Sequence, residues 1–434
     1  MRIARPSQSS YPPVLALLLL GATWCAPGRD AADTPAGAAG GEQPVAPSEV
    51  LAGVDVLLRD SLALVRGRRV GLVTNHTGMS TLDRSEPVSS VDALHAHPEV
   101  DLVALYSPEH GLSGDVEAGE KIASGTHPGT GLPVYSLYTD TRKPLPHMLE
   151  GVDVLLFDIQ DVGARYYTYV YTMALAMEAA GQAGIPFVVL DRPNPISGGL
   201  VQGNVLEPAF STFVGMYPIA MRHGMTPGEL ARLFSGEFGV EAELHVVPVA
   251  GLTRETWYDG TGLPWTPPSP NMPSLESATH YPGTCLFEGT NLSVGRGTER
   301  AFQWIGAPWL DGATLAARLN AYGLPGVRFE AATFTPTNPG DQKWPGQTVH
   351  GVRFVATDRT VYDPTHAAVA ALVEARRLAG DRWEWRVSHF DRLAGTDRLR
   401  LMIEEGRTQA EITDSWRDAL ASFEALRQRY LLYP

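Results

Sequence analysis

The sequence predicts an α/β fold, in which a mostly parallel sheet forms a larger first domain and a smaller α+β domain follows. Short apolar runs alternate with helix-like segments from residue 50 to about residue 255, as in a parallel sheet with helical crossovers. A stretch rich in Pro, Gly, Trp and Asn, residues 259–311, separates this alternation from a shorter mixed pattern. We therefore expect one domain over residues 49–290 and a second over residues 291–434.

Each predicted element has a local signal. Continuous apolar runs or strand-like patterns predict strands at residues 69–74, 102–106, 152–157, 187–190, 242–249, 327–334 and 349–356. Helix-forming segments lie at residues 88–97, 168–184, 226–234, 313–321 and 365–378, with more helix after them. Thr226 is a helix start with Pro at the first helical position and Glu at the third. The prolines of residues 259–311 predict a long ordered loop without regular elements.

The N-terminus has the pattern of a secretion signal. Two arginines precede an apolar stretch at residues 14–20, which small residues follow, so we expect residues 1–26 to be a signal peptide and the protein to be exported to the periplasm or the cell exterior. A lipid anchor on Cys25 is an open alternative, although Trp24 is not the small residue that such a cleavage prefers. The Ala-, Gly- and Pro-rich residues 27–48 predict a disordered linker.

The composition argues against several classes of partner. A hydrophobic content of 44% and a charged content of 19% are typical of a globular protein. The net charge of −14 disfavours nucleic acid, because phosphate recognition needs a basic face. The first strand is not followed by a glycine-rich phosphate loop, so we expect no nucleotide and no cofactor. Cys285 is predicted to be a buried structural thiol.

Polar side chains follow four of the predicted strands at the point where each strand ends. In open α/β sheets, ligands bind beyond the carboxyl ends of the strands. We therefore expect one polar cleft that contains Asn75 and His76, Glu109 and His110, Asp158, Gln160 and Asp161, and Asp191, Arg192 and Asn194. The alternative for the last group is structural, since Asp and Asn beside prolines are common in turns.

Glu109 is the first candidate for chemistry, because general acid–base catalysis needs a carboxyl group in a partly buried position. Its neighbour His110 could tune Glu109, orient a substrate or hold the loop. Alternatively, both side chains only hydrogen-bond the loop to itself. Position alone leaves these interpretations open.

Arginine, tyrosine and amide side chains suit a sugar ligand. Arg165 and Tyr166 begin an aromatic segment whose rings could stack on sugar faces, while the guanidinium could bind a carboxylate. Alternatively, Arg165 pairs with a nearby aspartate and the tyrosines pack in the interior. Asn271, Asn291 and Arg296 add amide and guanidinium donors, which suit a polyol or a loop bonded to itself.

A metal site is the alternative interpretation of the polar residues at the strand ends. His76, His110, Asp158 and Asp191 could converge on a cation, since imidazole and carboxylate are ordinary metal ligands. The sequence has no HExxH motif or similar spacing of metal ligands, and residues from four separate loops would have to meet at one point. We therefore expect no metal.

Six segments of the chain together resemble the exo-β-N-acetylmuramidase family (NamZ-like enzymes of peptidoglycan recycling). They are GLVTNHTG at 71–78, SPEHG at 107–111, FDIQDVGARYYTY at 157–169, DRPNP at 191–195, SPNMPS at 269–274 and FEGTNLSVGRGTE at 287–299. The resemblance implies a Rossmann-like domain and a smaller C-terminal domain with the active site in the cleft between them. It also implies an exo-acting enzyme that removes terminal non-reducing β-1,4-linked N-acetylmuramic acid from peptidoglycan-derived saccharides or muropeptides.

The resemblance further implies that Glu109 is the general acid. N-acetylmuramic acid carries a lactyl carboxylate, for which Arg165 or Arg296 would be a suitable clamp. Asp158 or Asp161 would orient the substrate's 2-acetamido group in a substrate-assisted route or supply the second carboxylate of a two-carboxylate route. A sugar-binding protein without turnover and a metal-dependent hydrolase remain the alternative functions.

Overall fold

The computed structural model describes residues 49–83, 86–117 and 119–434. The predicted signal peptide, the linker up to residue 48 and the proposed lipidation site Cys25 lie outside these residues. The described residues all belong to one compact unit, and the boundary expected at residue 290 stays a prediction. None of the helices in the described part of the chain is long and apolar enough to cross a membrane.

The strands of the described residues, β1 to β14 in chain order, are Arg69–Thr74, Met79–Ser80, Val88–Ser89, Asp101–Ser107, Gly125–Thr126, Pro133–Ser136, Val154–Asp158, Phe187–Leu190, Gln202–Val205, Ala220–Arg222, Leu244–Val247, Trp304–Ala307, Val327–Phe334 and Val349–Ala356. The α-helices of the same residues, α1 to α11, are Gly53–Asp60, Ser90–Ala96, Tyr169–Ala183, Pro227–Glu237, Leu275–Thr284, Gly312–Asn320, Pro364–Ala379, Val387–Ala394, Arg398–Glu404, Gln409–Asp414 and Arg417–Arg427.

The first part of the chain is built on a seven-stranded sheet with the order β11-β8-β7-β1-β4-β6-β5. All neighbouring strands are parallel except β5, which pairs antiparallel to β6 at one edge. This confirms the predicted mostly parallel sheet. β4 and β7 lie on opposite sides of β1, so the order of the strands in the sheet reverses direction at β1. Ligands of open α/β sheets bind at the carboxyl ends of the strands where the order reverses.

The second part of the chain contains a three-stranded antiparallel sheet with the order β12-β14-β13, which α6 and α7 accompany. This confirms the predicted smaller α+β part. One hydrophobic cluster contains residues from both parts, including Phe157 at the end of β7 and Phe354 in β14. The two sheets therefore share a continuous apolar core.

The prediction of a loop without regular elements at residues 259–311 is wrong in part, because α5 and β12 lie within it. Pro282 lies inside α5. It is two residues from the end of that helix, so its missing N–H affects only the last turn. The chain then continues as a 3₁₀ helix over Cys285–Gly289. The short strand β6 and the helix α1 were not predicted from the sequence.

Candidate active site

A cavity of about 560 Å³ is lined by residues that follow β4, β6 and β7. The rest of its wall comes from the Pro-rich stretch, from α8 with the residue just before it, and from residues 212–214 and 340–341. A cavity of this size is in the usual range for small-molecule sites. The charged side chains in its wall are Glu109, Glu117, Glu288, Asp341, Arg142, Arg296, Arg386 and Arg392, with His110 and His389.

Glu109 lies in the cavity wall just beyond the end of β4 and is 8% exposed. The hydroxyl of Thr168 donates a hydrogen bond to Oε2 at 2.7 Å, and the backbone N–H of Gly119 donates to Oε1 at 3.0 Å. Both carboxyl oxygens are therefore held by named donors. Burial and the nearby charge of Glu109 raise the pKa of Tyr138 to about 12, so this phenol in the same wall stays neutral.

His110 supports the loop that carries Glu109. Its backbone has a φ of 70°, in the left-handed region that non-glycine residues seldom adopt. Its Nδ1 lies 2.6 Å from the carbonyl oxygen of Val116, so the ring ties the two ends of a short turn together. The same turn leads to Gly119, the backbone donor to Glu109. His110 also lines the cavity, so both a structural and a binding role fit its position.

His76 and Asn75 lie at the end of β1 and are absent from the cavity wall. The ring Nε2 of His76 lies 2.6 Å from the carbonyl oxygen of Pro267, and burial lowers the pKa of His76. A Cβ at Gly114 would lie 1.8 Å from the His76 ring, so the turn after Glu109 requires glycine there. Asn75 closes a local turn by accepting hydrogen bonds from Thr77. Both residues shape the loops around the site.

Tyrosine side chains form part of the cavity wall. Tyr166 donates a hydrogen bond to the carbonyl of Pro282, which joins the segment after β7 to α5. The Tyr167 ring packs edge-on against Tyr281, with centroids 5.8 Å apart. Its hydroxyl is buried and faces Ser269 and Tyr169, and burial raises its pKa, so it remains a neutral phenol.

Asp158 and Asp161 are not in the cavity wall. Arg192 holds Asp158 in a buried two-bond ion pair, with Nε–Oδ1 2.5 Å and Nη2–Oδ2 2.9 Å. Asp161 accepts a hydrogen bond from the N–H of Gly163 at 2.7 Å and lies 3.6 Å from the ring of His223. The structure therefore gives both aspartates structural partners and does not bring them to Glu109.

Arg165 is fully buried and does not line the cavity. Its guanidinium donates to four backbone carbonyls and not to an aspartate, so it matches neither the carboxylate clamp nor the ion pair considered from the sequence. Nη1 donates to Asn204 and Ile219 at 2.7 and 3.1 Å, and Nη2 donates to Leu393 and Ala394 at 3.1 and 2.8 Å. Arg165 thus fastens the end of α8 to the segment after β7.

The residues that follow β8 also have structural partners. Asp191 accepts hydrogen bonds from the N–H of Gly228 and the hydroxyl of Thr226, at the start of α4. Burial raises the pKa of Asp191 to about 6. Asn194 closes a turn, as the structural alternative expected, and Gln160 donates to the carbonyl of Pro193 at 2.8 Å. None of these side chains lines the cavity.

The Pro-rich stretch contributes two of its three predicted residues to the cavity. Asn271 lines it and donates to Glu117 at 3.2 Å. Arg296 also lines it, but its Nε already donates to Glu288 at 2.6 Å. Burial raises the pKa of Glu288, while the charges of Arg296 and Lys343 outweigh that effect and leave the pKa below its usual value. Asn291 lies elsewhere, with its side chain bonded to the carbonyl of Arg382.

Several cavity residues were missed in the sequence. Tyr138 and Arg142 follow β6, a four-residue strand that gave no signal and whose end was therefore not considered. Arg386, His389 and Arg392 belong to α8 or its start, and helical periodicity alone does not show which cavity a helix faces. Among the described residues, no group of three or more His, Cys, Asp or Glu side chains is placed to hold a metal ion.

Comparison with known proteins gives matches over most of the chain. The family profiles described as exo-beta-N-acetylmuramidase NamZ, N-terminal and C-terminal, match residues 70–276 and 279–433. A peptidoglycan beta-N-acetylmuramidase NamZ from Bacillus subtilis (strain 168) is 46% identical over 386 residues, which are 89% of this chain and 92% of that protein. Crystal structures of two DUF1343 family proteins from Bacteroides fragilis NCTC 9343 are similar, with TM-scores of 0.82 and 0.71 at 36% and 32% identity. Each match covers 89% of this chain and 99% of the other.

Proposed function

Because the chain belongs to the exo-beta-N-acetylmuramidase NamZ family, we propose that it is a glycoside hydrolase that removes terminal non-reducing β-1,4-linked N-acetylmuramic acid from peptidoglycan fragments. The name of the Bacillus subtilis relative gives the activity and the polymer. The observation that carries the proposal for this chain is Glu109, a carboxyl group in a cavity wall with both oxygens held by hydrogen-bond donors.

Glu109 acts as the general acid in this proposal. Its carboxyl proton moves to the glycosidic oxygen as the bond from that oxygen to the anomeric carbon breaks, so the leaving sugar departs as a neutral alcohol. Water then supplies the hydroxyl group that bonds to the anomeric carbon, and the proton it releases restores the carboxyl group of Glu109. The carboxylate that remains carries a negative charge, which the Thr168 hydroxyl and the Gly119 N–H already face. These donors need no rearrangement during the reaction, which is how a preorganised site lowers a barrier.

The reaction also needs a group that stabilises the positive charge at the anomeric carbon, and the other acids of the cavity wall are its candidates. Glu288 is paired with Arg296, and Asp341 lies 3.8 Å from Nζ of Lys343. Glu117 lies in the same loop as Glu109 and contacts the neutral amide of Asn271. The proposal therefore leaves Asp158 and Asp161 out of the chemistry. Glu117 and the substrate's own acetamido group are the two candidates for stabilising the anomeric carbon.

Incubation with the disaccharide N-acetylmuramyl-β-1,4-N-acetylglucosamine tests this function. We expect mass spectrometry to show both free monosaccharides, and NMR of the first-formed anomer to show whether configuration is retained or inverted. The matched control is the disaccharide with the two sugars in the reverse order, which should stay intact. Binding of the first disaccharide without release of either sugar would make the protein a sugar-binding protein instead.

We expect Thr168→Val to lower kcat on this substrate by about tenfold, because the Thr168 hydroxyl no longer stabilises the negative charge that develops on Glu109 as its proton leaves. Thr172→Val is the matched control, since Thr172 lies one turn further in α3 and its hydroxyl bonds only a backbone carbonyl. Steady-state kinetics and thermal unfolding should be measured on both variants. Equal losses of kcat in the two would contradict a positioning role for Thr168.

A further inference from the structure

Arg386 and Arg392 have no carboxylate partner among the described residues, and neither has Arg142 of the same cavity wall, whose guanidinium lies 4.3 Å from the ring centroid of Phe213. Arg386 immediately precedes α8 and Arg392 lies within it, and both line the cavity. Arg296, the third arginine in this part of the wall, is instead paired with Glu288 at 2.5 Å. The Nε of Arg392 is buried without a hydrogen-bond partner in the described structure. Two guanidinium groups are thus available to an anion.

The acids nearby are already bound to other cations. Asp391, next to Arg392 in the sequence, accepts two hydrogen bonds from Arg400, each 2.9 Å long. Glu288 is held by Arg296, as described above. Asp341, a further acid of the cavity wall, lies 3.8 Å from Nζ of Lys343. None of these acids forms an ion pair with Arg386 or Arg392.

His389 lies three residues from each of these arginines, and all three side chains line the cavity. The guanidinium of Arg392 donates to its Nδ1, which requires that nitrogen to be unprotonated. Burial lowers the pKa of His389 to about 4 against the opposing effect of the Glu288 charge, and the charges of Arg392, Lys343 and Arg386 lower it further. At neutral pH, His389 thus orients Arg392 without adding charge or removing it.

We propose that Arg386 and Arg392 form an anion subsite that binds the lactyl carboxylate of the substrate and thereby selects N-acetylmuramic acid. The inference rests on the proposed function. N-acetylmuramic acid differs from N-acetylglucosamine by a lactyl ether at C3, whose carboxylate is the only charged group of the sugar. A planar guanidinium binds a carboxylate through two parallel hydrogen bonds, so an arginine pair suits this group better than a lysine would.

This subsite replaces the clamp expected at Arg165 or Arg296, because the first is buried away from the cavity and the second is neutralised. It also stands at an edge of the cavity. His389 and Arg392 line an adjoining groove that is formed with residues 209–212 and the first turn of α8. A small group attached to the lactyl carboxyl carbon therefore has space, so an amide analogue should still enter the site.

The test compares two aryl β-glycosides, one of N-acetylmuramic acid and one of its lactyl methylamide, which lacks the charge. We expect Arg386→Gln and Arg392→Gln each to lower kcat/KM on the acid by about 10- to 100-fold, the loss of a hydrogen-bonded charge pair. The rate on the methylamide should change little, so the preference for the acid disappears. Arg398→Gln is the matched control, since Arg398 is exposed in the next helix and absent from the cavity wall.

The outcomes separate the two proposals. If the unmodified protein cleaves neither glycoside nor the natural disaccharide, the proposed function fails. If it cleaves the acid and both variants keep its preference over the methylamide, the anion subsite alone is wrong. Arg386→Gln changes an exposed residue, so it keeps the test valid should Arg392→Gln fail to fold. Arg392→Lys should restore only part of the preference, because it keeps the charge and loses the two-bond geometry.

Discussion

Glu109→Gln is expected to lower kcat on an aryl N-acetylmuraminide or on the natural disaccharide by about 10²- to 10⁴-fold. Glutamine has almost the same shape as glutamate and can still accept a hydrogen bond from Thr168. Its amide N–H groups are too weakly acidic to protonate the glycosidic oxygen. Substrate binding should persist, because the cavity and its other polar groups are unchanged, so the loss falls on kcat and not on the dissociation constant.

Steady-state kinetics and isothermal titration calorimetry with the disaccharide measure the two quantities separately. Glu120→Gln is the matched control, because Glu120 is exposed in the same loop and does not line the cavity. A Glu109→Gln protein that keeps more than about half of its kcat would exclude Glu109 as the general acid, since general acids contribute at least about 10²-fold. Aryl glycosides with better leaving groups should lose less rate, since they depend less on protonation.

Asp158→Asn is expected to lower the free energy of unfolding by about 3–5 kcal/mol, because it leaves a buried arginine without its anion. Asp158 is completely buried and Arg192 is 3% exposed, so water cannot replace the lost partner. Burial lowers the pKa of Arg192, but the charge and hydrogen bonds of Asp158 outweigh it, so the guanidinium stays charged. Urea unfolding monitored by circular dichroism gives the free energy directly.

The matched control is Asp153→Asn, which breaks an ion pair with Arg69 just before the start of β7, the strand that ends at Asp158. That pair is exposed to solvent, so its loss should barely change the urea midpoint. The kcat of folded Asp158→Asn protein should be close to that of the unmodified protein. A large loss of kcat with unchanged stability would instead indicate that Asp158 takes part in catalysis.

Local sequence signals were sufficient for the sheet and for Glu109. The apolar runs that became β1, β4, β7 and β8 are buried central strands, and their apolar character reflects burial on both faces. Glu109 follows one of these runs, and the ligand-binding edge of a parallel sheet is a property of the fold class. The strand end therefore indicated the position of Glu109 in the cavity wall, and the family resemblance supports its proposed role as the general acid.

The partners of these side chains could not be predicted, because they are distant in the sequence. Asp158 meets Arg192 across 34 residues, and Arg165 meets Leu393 across 228 residues. A carboxylate at a strand end looks the same in the sequence whether it faces a ligand or a buried guanidinium. The arginines of α8 illustrate the converse, since only tertiary packing brings that helix to the cavity.

The Arg165 guanidinium has a consequence for how such a protein can evolve. Two of its four acceptors are the carbonyls of Leu393 and Ala394, far beyond residue 290. Residue 395 is a glycine, and a Cβ atom there would lie only 3.0 Å from Nη2 of Arg165. Removing or exchanging the C-terminal third would leave a buried cation with half of its hydrogen bonds unmade. Recombinants that combine the two parts from different ancestors should therefore be less stable and selected against. We expect the two parts to be inherited together.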